Sequence, residues 1–362
     1  MSEFRITSAA EQAADFLRGQ ILRGRWSGVM PGRHDLAAEL GINHKTVEAA
    51  LSQLEEQGFL VKQGSGRRRR ISPLNGKARP PSLRIAILAG MSGDRTQDFM
   101  VEMKHRLIED GHSAFYTEPC LNDLGMDVRR VARLVKRTGV DAWVVVAGSR
   151  EVLEWLAGQA TPVFALFGRR ARLRIAGCGP DKPPAYAEAT RALLALGHRR
   201  IVLLTHASRR LPSPGASEHA FLAELAAAGI PVGNYHLPDW EETPEGFQQR
   251  LDSLFQLTPP TALILDSNPL FAAAQHFIQR IGLRVPEDVS LVCTDVTREL
   301  IWQLPPVSHI RWDSRPIVRR VVNWAANISR GKADVRQTLV SAEFVTGGTI
   351  GPAPGKPVAE EP

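Results

Sequence analysis

The stretch from Gly41 to Ser72, GINHKTVEAALSQLEEQGFLVKQGSGRRRRIS, is the most informative part of this 362-residue chain. It starts with a glycine turn, continues as an amphipathic helix that Gly58 ends, and finishes as a hairpin with four consecutive arginines. Asn43 is suited to cap the helix, because an Asn side chain accepts hydrogen bonds from free N–H groups of the first turn. The apolar residues recur at helical spacing at Val47, Ala50, Leu51 and Leu54.

Two further helices are predicted upstream of this stretch, at about Ala9 to Arg23 and at Asp35 to Leu40. Downstream, Phe59 to Lys62 and Arg68 to Ile71 are predicted to pair around Gly64-Ser65-Gly66. Three helices followed by a basic hairpin is the order of a winged helix-turn-helix, which presents its third helix to a DNA groove. The sequence therefore predicts a DNA-binding module at the N-terminus.

The solvent-facing side of this module supplies the candidate DNA contacts. They are Arg33, His34, Asn43, His44, Lys45, Thr46, Glu48, Ser52, Gly64, Ser65, Gly66, Arg67, Arg68, Arg69 and Arg70. A run of arginines is also compatible with a solvated charge cluster that has no partner. Its place on a hairpin directly after a helix-turn-helix pattern favours phosphate contact.

The charge is unevenly distributed along the chain. Residues 1–82 hold 13 Lys and Arg against 8 Asp and Glu, whereas the other residues hold 32 against 30. A basic module joined to a near-neutral one suits a polyanion partner for the first and a small ligand for the second. No apolar run reaches the length of a membrane span, and no signal peptide is predicted. Three widely spaced cysteines indicate neither a disulfide framework nor a zinc site, which favours a cytoplasmic protein.

After a proline-rich linker, short β-rich runs alternate with amphipathic helices. Predicted strands are Leu83–Ala89, Ala142–Val146, Val163–Phe167, Ile201–Thr205, Ala262–Leu265 and Val289–Cys293. Predicted helices include Gln97–Glu109, Val128–Arg137, Ala185–Leu196, Glu218–Ala228 and Phe271–Ile281. This alternation indicates parallel sheets covered on both faces, and its length predicts two α/β lobes with a cleft between them. The predicted division is residues 1–72 for the DNA-binding domain, 73–82 for the linker, 83–351 for the two-lobed domain and 352–362 for a disordered tail.

Residues 9–72 resemble the GntR-family winged helix-turn-helix, from MPGRHDLAAELGINHKTVEAALSQLEEQGFL through the GSG turn. The family usually has an arginine early in the second helix and two in the third. The corresponding positions here are His34, His44 and Glu48. The resemblance implies the same docking mode on DNA.

Residues 83–351 resemble the LacI-type effector domain, which is similar to type 1 periplasmic sugar-binding proteins. The matching segments are EATRALLALGHRRIVLLT, TALILDSNPLFAAAQHFIQRIGLRVPEDVSLVCTD, PPVSHIRWDSRPIVRRVVNW and AEFVTGGTIGP. The resemblance implies an α/β fold of two parallel doubly wound sheets that bind a small ligand, usually a sugar, between them.

Ligands of such folds bind where the strands end, so polar residues just after strand C-termini are the candidate effector contacts. They are Ser92, Asp94, Ser149, Arg169, Asp181, His206, Ser217, Asn268 and Asp295. Ser217 stands where the family often has a sugar-binding arginine, and Asn268 where it has an aspartate after the later strand. Asp295 matches the family pattern.

Together these features predict a regulator, usually a repressor in this family, that binds a palindromic operator as a homodimer. Neither a catalytic residue, a cofactor, a metal nor a membrane partner is predicted. One alternative is a C-terminal domain that only dimerises. A second alternative is an aminotransferase-like domain with pyridoxal phosphate, which needs a Schiff-base lysine in a pocket. Beyond residue 82 the chain has Lys104, Lys136, Lys182, Lys332 and Lys356, on helices or in loops and the tail. A hydrolase lacks support, since GxSxG, HExxH and P-loop motifs are missing.

Overall fold

The computed structural model describes residues 8–22, 25–26, 28–64, 67–72, 81–295, 300 and 302–355. The predicted positions Ser65 and Gly66, most of the predicted linker and the predicted tail from residue 356 lie outside these residues. Within them, no helix is both long enough and apolar enough to cross a membrane.

The described part of residues 8–72 contains α1 (Ala9–Leu22), α2 (Arg33–Leu40), α3 (His44–Glu56), β1 (Leu60–Val61) and β2 (Arg70–Ile71). The two strands pair antiparallel, and Val29 makes a further bridge to Arg70. The apolar stripe predicted for α3 is buried against α1, α2 and β1. Gly41 ends α2 with a positive φ of 65°. This left-handed conformation is strained for residues that have a Cβ atom, but glycine adopts it readily. The predicted helices and hairpin strands are thus present, with the hairpin strands shorter than predicted.

The remainder alternates strands and helices in two lobes. The first lobe contains β3 (Arg84–Leu88), α4 (Asp98–Glu109), β4 (Ser113–Tyr116), α5 (Val128–Thr138), β5 (Ala142–Val146), α6 (Arg150–Ala157), β6 (Val163–Leu166), β7 (Ala176–Asp181) and α12 (Arg315–Ser329). The second lobe contains α7 (Pro183–Ala195), β8 (Ile201–Leu204), α8 (Ala207–Arg210), α9 (Ala216–Ala227), α10 (Pro244–Leu257), β9 (Ala262–Leu265), α11 (Asn268–Arg280), β10 (Ser290–Cys293) and β11 (Ser308–Trp312).

The strand order is β4-β3-β5-β6-β7-β12-β11-β10-β9-β8. The last strand, β12 (Gln337–Val345), belongs to both lobes. Its first half, Gln337–Ser341, pairs parallel with β7, and its second half, Ala342–Val345, pairs antiparallel with β11. The prediction of two separate parallel sheets is therefore corrected, because one shared strand joins them into a single hydrogen-bonded sheet.

The apolar core follows the lobes. Strand residues of the first lobe pack on α4 and α12 on one face and on α5 and α6 on the other. Those of the second lobe pack on α10 and α11 on one face and on α7 and α9 on the other. The strands run parallel in each lobe apart from β12 against β11, so their C-terminal ends share an edge.

Candidate functional site: a cleft at the strand ends and a basic face

The centre of the candidate site is the partly buried guanidinium of Arg209, which is not among the predicted site residues. Arg209 lies in α8, directly after β8, and its Nε donates to Glu218 at 2.9 Å. Its Nη1 lies 3.2 Å from Asp266 Oδ1. The two carboxylate side chains are 2% and 5% exposed. A cation bound by two such acids satisfies the rule that buried charges are paired.

The electrostatics of this cluster are mutually reinforcing. Burial opposes the charge of Arg209, but Asp266 and Glu218 outweigh burial and hold the pKa of the guanidinium well above its ordinary value. Burial raises the pKa of Asp266, but Arg209 and then His206 outweigh it, so that the pKa lies below its ordinary value. Arg209 and Asp266 are therefore both charged at neutral pH.

Neighbouring polar groups extend the cluster. The hydroxyl of Thr205 donates to Asp266 at 2.8 Å, and that of Tyr186 donates to Thr294 at 2.9 Å. Lys182, at the start of α7, is partly buried and donates to the Thr294 carbonyl at 2.9 Å. These groups form a polar floor of hydroxyl, carboxylate and cationic donors and acceptors, which is the kind of lining that orients a polyhydroxylated ligand.

Arg169 joins the two lobes. It follows β6 in the first lobe, and its guanidinium donates to carbonyls of the second: Ser208 at 3.3 Å, Arg209 at 2.9 Å and Ser213 at 2.6 Å. Arg169 is one of the predicted effector contacts. In the structure its donors reach the segment that carries Arg209, so it bridges the cleft.

Asp94 faces the same cleft from the first lobe. Its carboxylate accepts from the N–H groups of Gly90 and Met91 at 2.9 and 3.0 Å. Burial raises the pKa of Asp94, these hydrogen bonds oppose the rise, and the charge of Asp295 adds to it.

His206 pairs with Glu242 at 3.4 Å. Burial lowers the pKa of His206, but Glu242 and Asp266 outweigh it, so the pKa is raised. Asp94, His206 and Asp295 are thus brought together as their predicted positions imply.

Other predicted effector residues are placed differently. Ser92 is exposed, the hydroxyl of Ser149 accepts from Val152 N–H as the cap of α6, and Asp181 ends β7 where the chain crosses to the second lobe. Ser217 is buried within α9.

The role of Asn268 as an effector contact stays a prediction, and its side-chain Oδ1 is buried without a hydrogen-bond partner among the described residues. Asn268 starts α11, whereas the carboxylate inside the cluster is Asp266, the first residue after β9. Asp266 was not among the candidates predicted from the strand ends. Arg209 could not be recognised from a sequence pattern, because helix α8 has only four residues and is too short to show helical periodicity.

The predicted basic face of residues 8–72 lies at the starts of α2 and α3 and along the hairpin. Arg33, His34, His44, Lys45, Arg67, Arg68 and Arg70 are exposed there, and Gly64 lies beside them. The His34 and His44 rings stack with centroids 5.7 Å apart. Thr46, Glu48 and Ser52 are partly exposed on α3. Asn43 caps α3, since its Oδ1 accepts from Lys45 N–H at 2.9 Å.

Arg69 departs from the prediction for the arginine run. Its side chain is turned toward α3 and forms ion pairs with Glu48 and Glu55. A guanidinium occupied by two carboxylates is not available to a phosphate without breaking those pairs.

Comparison with known proteins agrees with the two-lobed fold. A family model described as "Periplasmic binding protein-like domain" matches residues 190–350. The Lactose operon repressor of Escherichia coli is 30% identical over 157 residues, which are 42% of this chain and 42% of that protein. The HTH-type transcriptional regulator AglR of Rhizobium meliloti is 24% identical over 87% of this chain and 88% of its own.

Among solved structures, a LacI family transcriptional regulator from Enterococcus faecium with bound ribose has a TM-score of 0.60 at 18% identity. It covers 74% of this chain and 99% of its own. These curated relatives are transcriptional regulators and not enzymes, as the sequence predicts for this chain. The chain is similar to these transcriptional regulators, and the match to the periplasmic binding protein-like domain covers residues 190–350.

Proposed function

We propose that this chain, with its LacI-type two-lobed domain, is a DNA-binding transcriptional regulator whose affinity for an operator is controlled by a small ligand in the cleft. The ligand is a sugar, the protein acts in the cytoplasm as a homodimer, and its usual mode is repression. The N-terminal module is a GntR-type winged helix-turn-helix rather than the LacI-type reader.

The observation that carries this proposal is the basic face of residues 33–70. Exposed cations lie at the starts of two helices and on the adjoining hairpin, the elements that such a module presents to a duplex. Two of these arginines have acidic neighbours that partly neutralise their charge. Arg68 lies 3.5 Å from Asp35, and Arg69 pairs with Glu48. The exposed pair at Arg68 is weak enough for a phosphate to replace Asp35.

The sugar assignment is supported by the polar floor of the cleft. Paired carboxylates, hydroxyls and guanidinium groups bind vicinal hydroxyls of a sugar through several hydrogen bonds. The ribose-bound relative supports the class of ligand. Binding closes the lobes on the ligand, and by linkage the ligand and the operator then change each other's affinity by the same factor.

Titration of the full chain with a fluorescent random duplex at several salt concentrations tests the DNA assignment. We expect log K to fall linearly with log salt, with a slope of about −0.9 per phosphate contacted. Charge-matched competition with a polyanion such as heparin provides the control. Absence of salt-dependent binding at low salt contradicts the proposed function.

A second candidate function keeps DNA binding but gives the two-lobed domain a purely dimerising role. It is favoured by the internal pairing of the cleft, where Arg209 is already bound to Glu218 and Asp266 and Arg169 already links the lobes. Thermal-shift measurements with a panel of monosaccharides and short oligosaccharides separate the two. A ligand at 100 times its Kd stabilises the protein by about 2.7 kcal/mol. A flat response across the panel supports the dimerising role.

A further inference from the structure

The third arginine of the hairpin run is built into the module in a different way from its neighbours. The side chain of Arg69 is 13% exposed, whereas that of Arg68 is 66% exposed. The Arg69 carbonyl also accepts from Met30 N–H at 2.8 Å. The backbone at Arg69 is thus held on one side while its guanidinium is directed into the protein.

The guanidinium of Arg69 connects the hairpin to α3 at two points. Its Nη2 and Nη1 donate to Glu48 at 2.6 and 3.3 Å, and its Nε donates to Glu55 at 2.5 Å. Glu48 and Glu55 are seven residues apart, so they lie on one face of the helix two turns from each other. A planar guanidinium can bind both carboxylates at once, which a lysine ammonium cannot reproduce.

This contact also changes the charge that α3 shows to DNA. Glu48 stands on the helix face predicted to approach the duplex, where an uncompensated carboxylate repels phosphates. The hydrogen bond from Arg69 lowers the pKa of Glu48, so the carboxylate is ionised and its charge is offset by the arginine. Arg69 therefore neutralises an acid of the reading helix and ties the hairpin to it.

We propose that Arg69 is a positioning residue that docks the hairpin onto α3 through Glu48 and Glu55, and that it makes no phosphate contact itself. Helix and hairpin then approach the duplex as one rigid surface, with Arg67, Arg68 and Arg70 directed outward. This inference rests on the proposed DNA binding.

Salt titration of DNA binding distinguishes positioning from phosphate contact. In the full chain, Arg68→Ala should lower the magnitude of the salt slope by about 1, because one phosphate contact is lost. Arg69→Ala should weaken binding about tenfold or more at every salt concentration and leave the slope unchanged. Arg69→Lys should not rescue the affinity, because it keeps the charge but loses the fork that bridges two carboxylates.

Glu55→Ala provides a second variant that does not remove a cation. Simple electrostatics predicts tighter DNA binding when an acid is removed, whereas docking of the hairpin predicts weaker binding with the same slope. If Arg69→Ala does not fold by circular dichroism, Glu55→Ala carries the test. A slope reduction in Arg69→Ala equal to that of Arg68→Ala, rescue by lysine, or tighter binding by Glu55→Ala overturns the inference. Absence of DNA binding by the unaltered chain overturns the proposed function and the inference with it.

Discussion

At the scale of single residues, Arg209 holds the cleft together. It is the shared partner of Glu218 and Asp266, whose side chains have almost no access to water. Removing the cation leaves two carboxylates without their counterion in a place where water cannot replace it. Stability and ligand chemistry are therefore coupled at this one side chain.

Arg209→Met should lower the free energy of unfolding at pH 7 by about 3–5 kcal/mol, since one partner of a buried pair is lost. The pKa of Asp266 is lowered in the folded protein, so the pair stabilises the fold above the unfolded pKa, about 3.9. The deficit should be complete between pH 4.5 and 7.5 and should shrink only as the pH falls below about 3.9 toward the folded pKa of Asp266. Urea unfolding of both proteins between pH 3 and 7.5 measures it.

Arg311→Met is the matched control for this measurement. Arg311 pairs with Glu343 at 2.5 Å, but both side chains are exposed. Such a pair contributes about 1 kcal/mol or less. Equal losses in the two variants contradict the role assigned to Arg209.

The residue scale also shows which positions could be placed from the sequence, although the roles predicted for them stay predictions. Asp94, His206 and Asp295 were predicted from their places after strands, and the structure brings them together. Arg209 and Glu218 were missed because their partnership depends on how α8 and α9 fold back on β8, a tertiary arrangement that local spacing does not encode.

At the scale of elements, α3 depends on a side chain at its start. Asn43 accepts from Lys45 N–H, which satisfies a donor that the helix itself leaves without a partner. The same helix provides the buried stripe of the N-terminal module and its candidate DNA contacts, so fraying of its first turn affects both.

Asn43→Ala should destabilise α3 by about 1 kcal/mol. The expected result is about fivefold faster hydrogen exchange of the amides of residues 44–56 in the full chain, followed by mass spectrometry. Asn43→Asp keeps an accepting oxygen and should preserve the protection. Unchanged exchange in the alanine variant contradicts the capping role.

Strands made of continuous apolar runs could be predicted from the sequence. Strands whose formation depends on tertiary contacts could not. The bounds of β5 and β9 were predicted as observed, whereas β7, with the sequence AGCGPD, resembles a turn and was missed. Gly177 explains the difference, because a Cβ there would lie 2.5 Å from Arg170 Cδ. Glycine at this position leaves room for the Arg170 side chain to pass across β7. The strand itself is held by hydrogen bonds to β6 and β12.

At the scale of the whole molecule, the second lobe displays two large apolar side chains close together in sequence. Trp302 is 83% exposed and Leu304 is 90% exposed. Exposed apolar groups of this size mark interaction surfaces in soluble proteins. A second copy of the chain is the partner that the proposed function requires.

In the proposed dimer with this surface as its contact, Leu304→Glu should give a monomer, because the change places a charge in an apolar contact. Sedimentation velocity measures the mass in solution. Leu257→Glu, at another exposed leucine at the end of α10, is the control and should remain a dimer. An unchanged mass for Leu304→Glu places the interface elsewhere.

The strand shared by the lobes sets how they can move. β12 exchanges its partner between Ser341 and Ala342, from β7 to β11. Sliding one half of the sheet along the other would break the backbone hydrogen bonds of β12, but torsion about the peptide units at Ser341 and Ala342 preserves them. A twist at this point therefore opens the lobes without breaking the sheet, and a few degrees there move the far ends of the lobes through the widest arc.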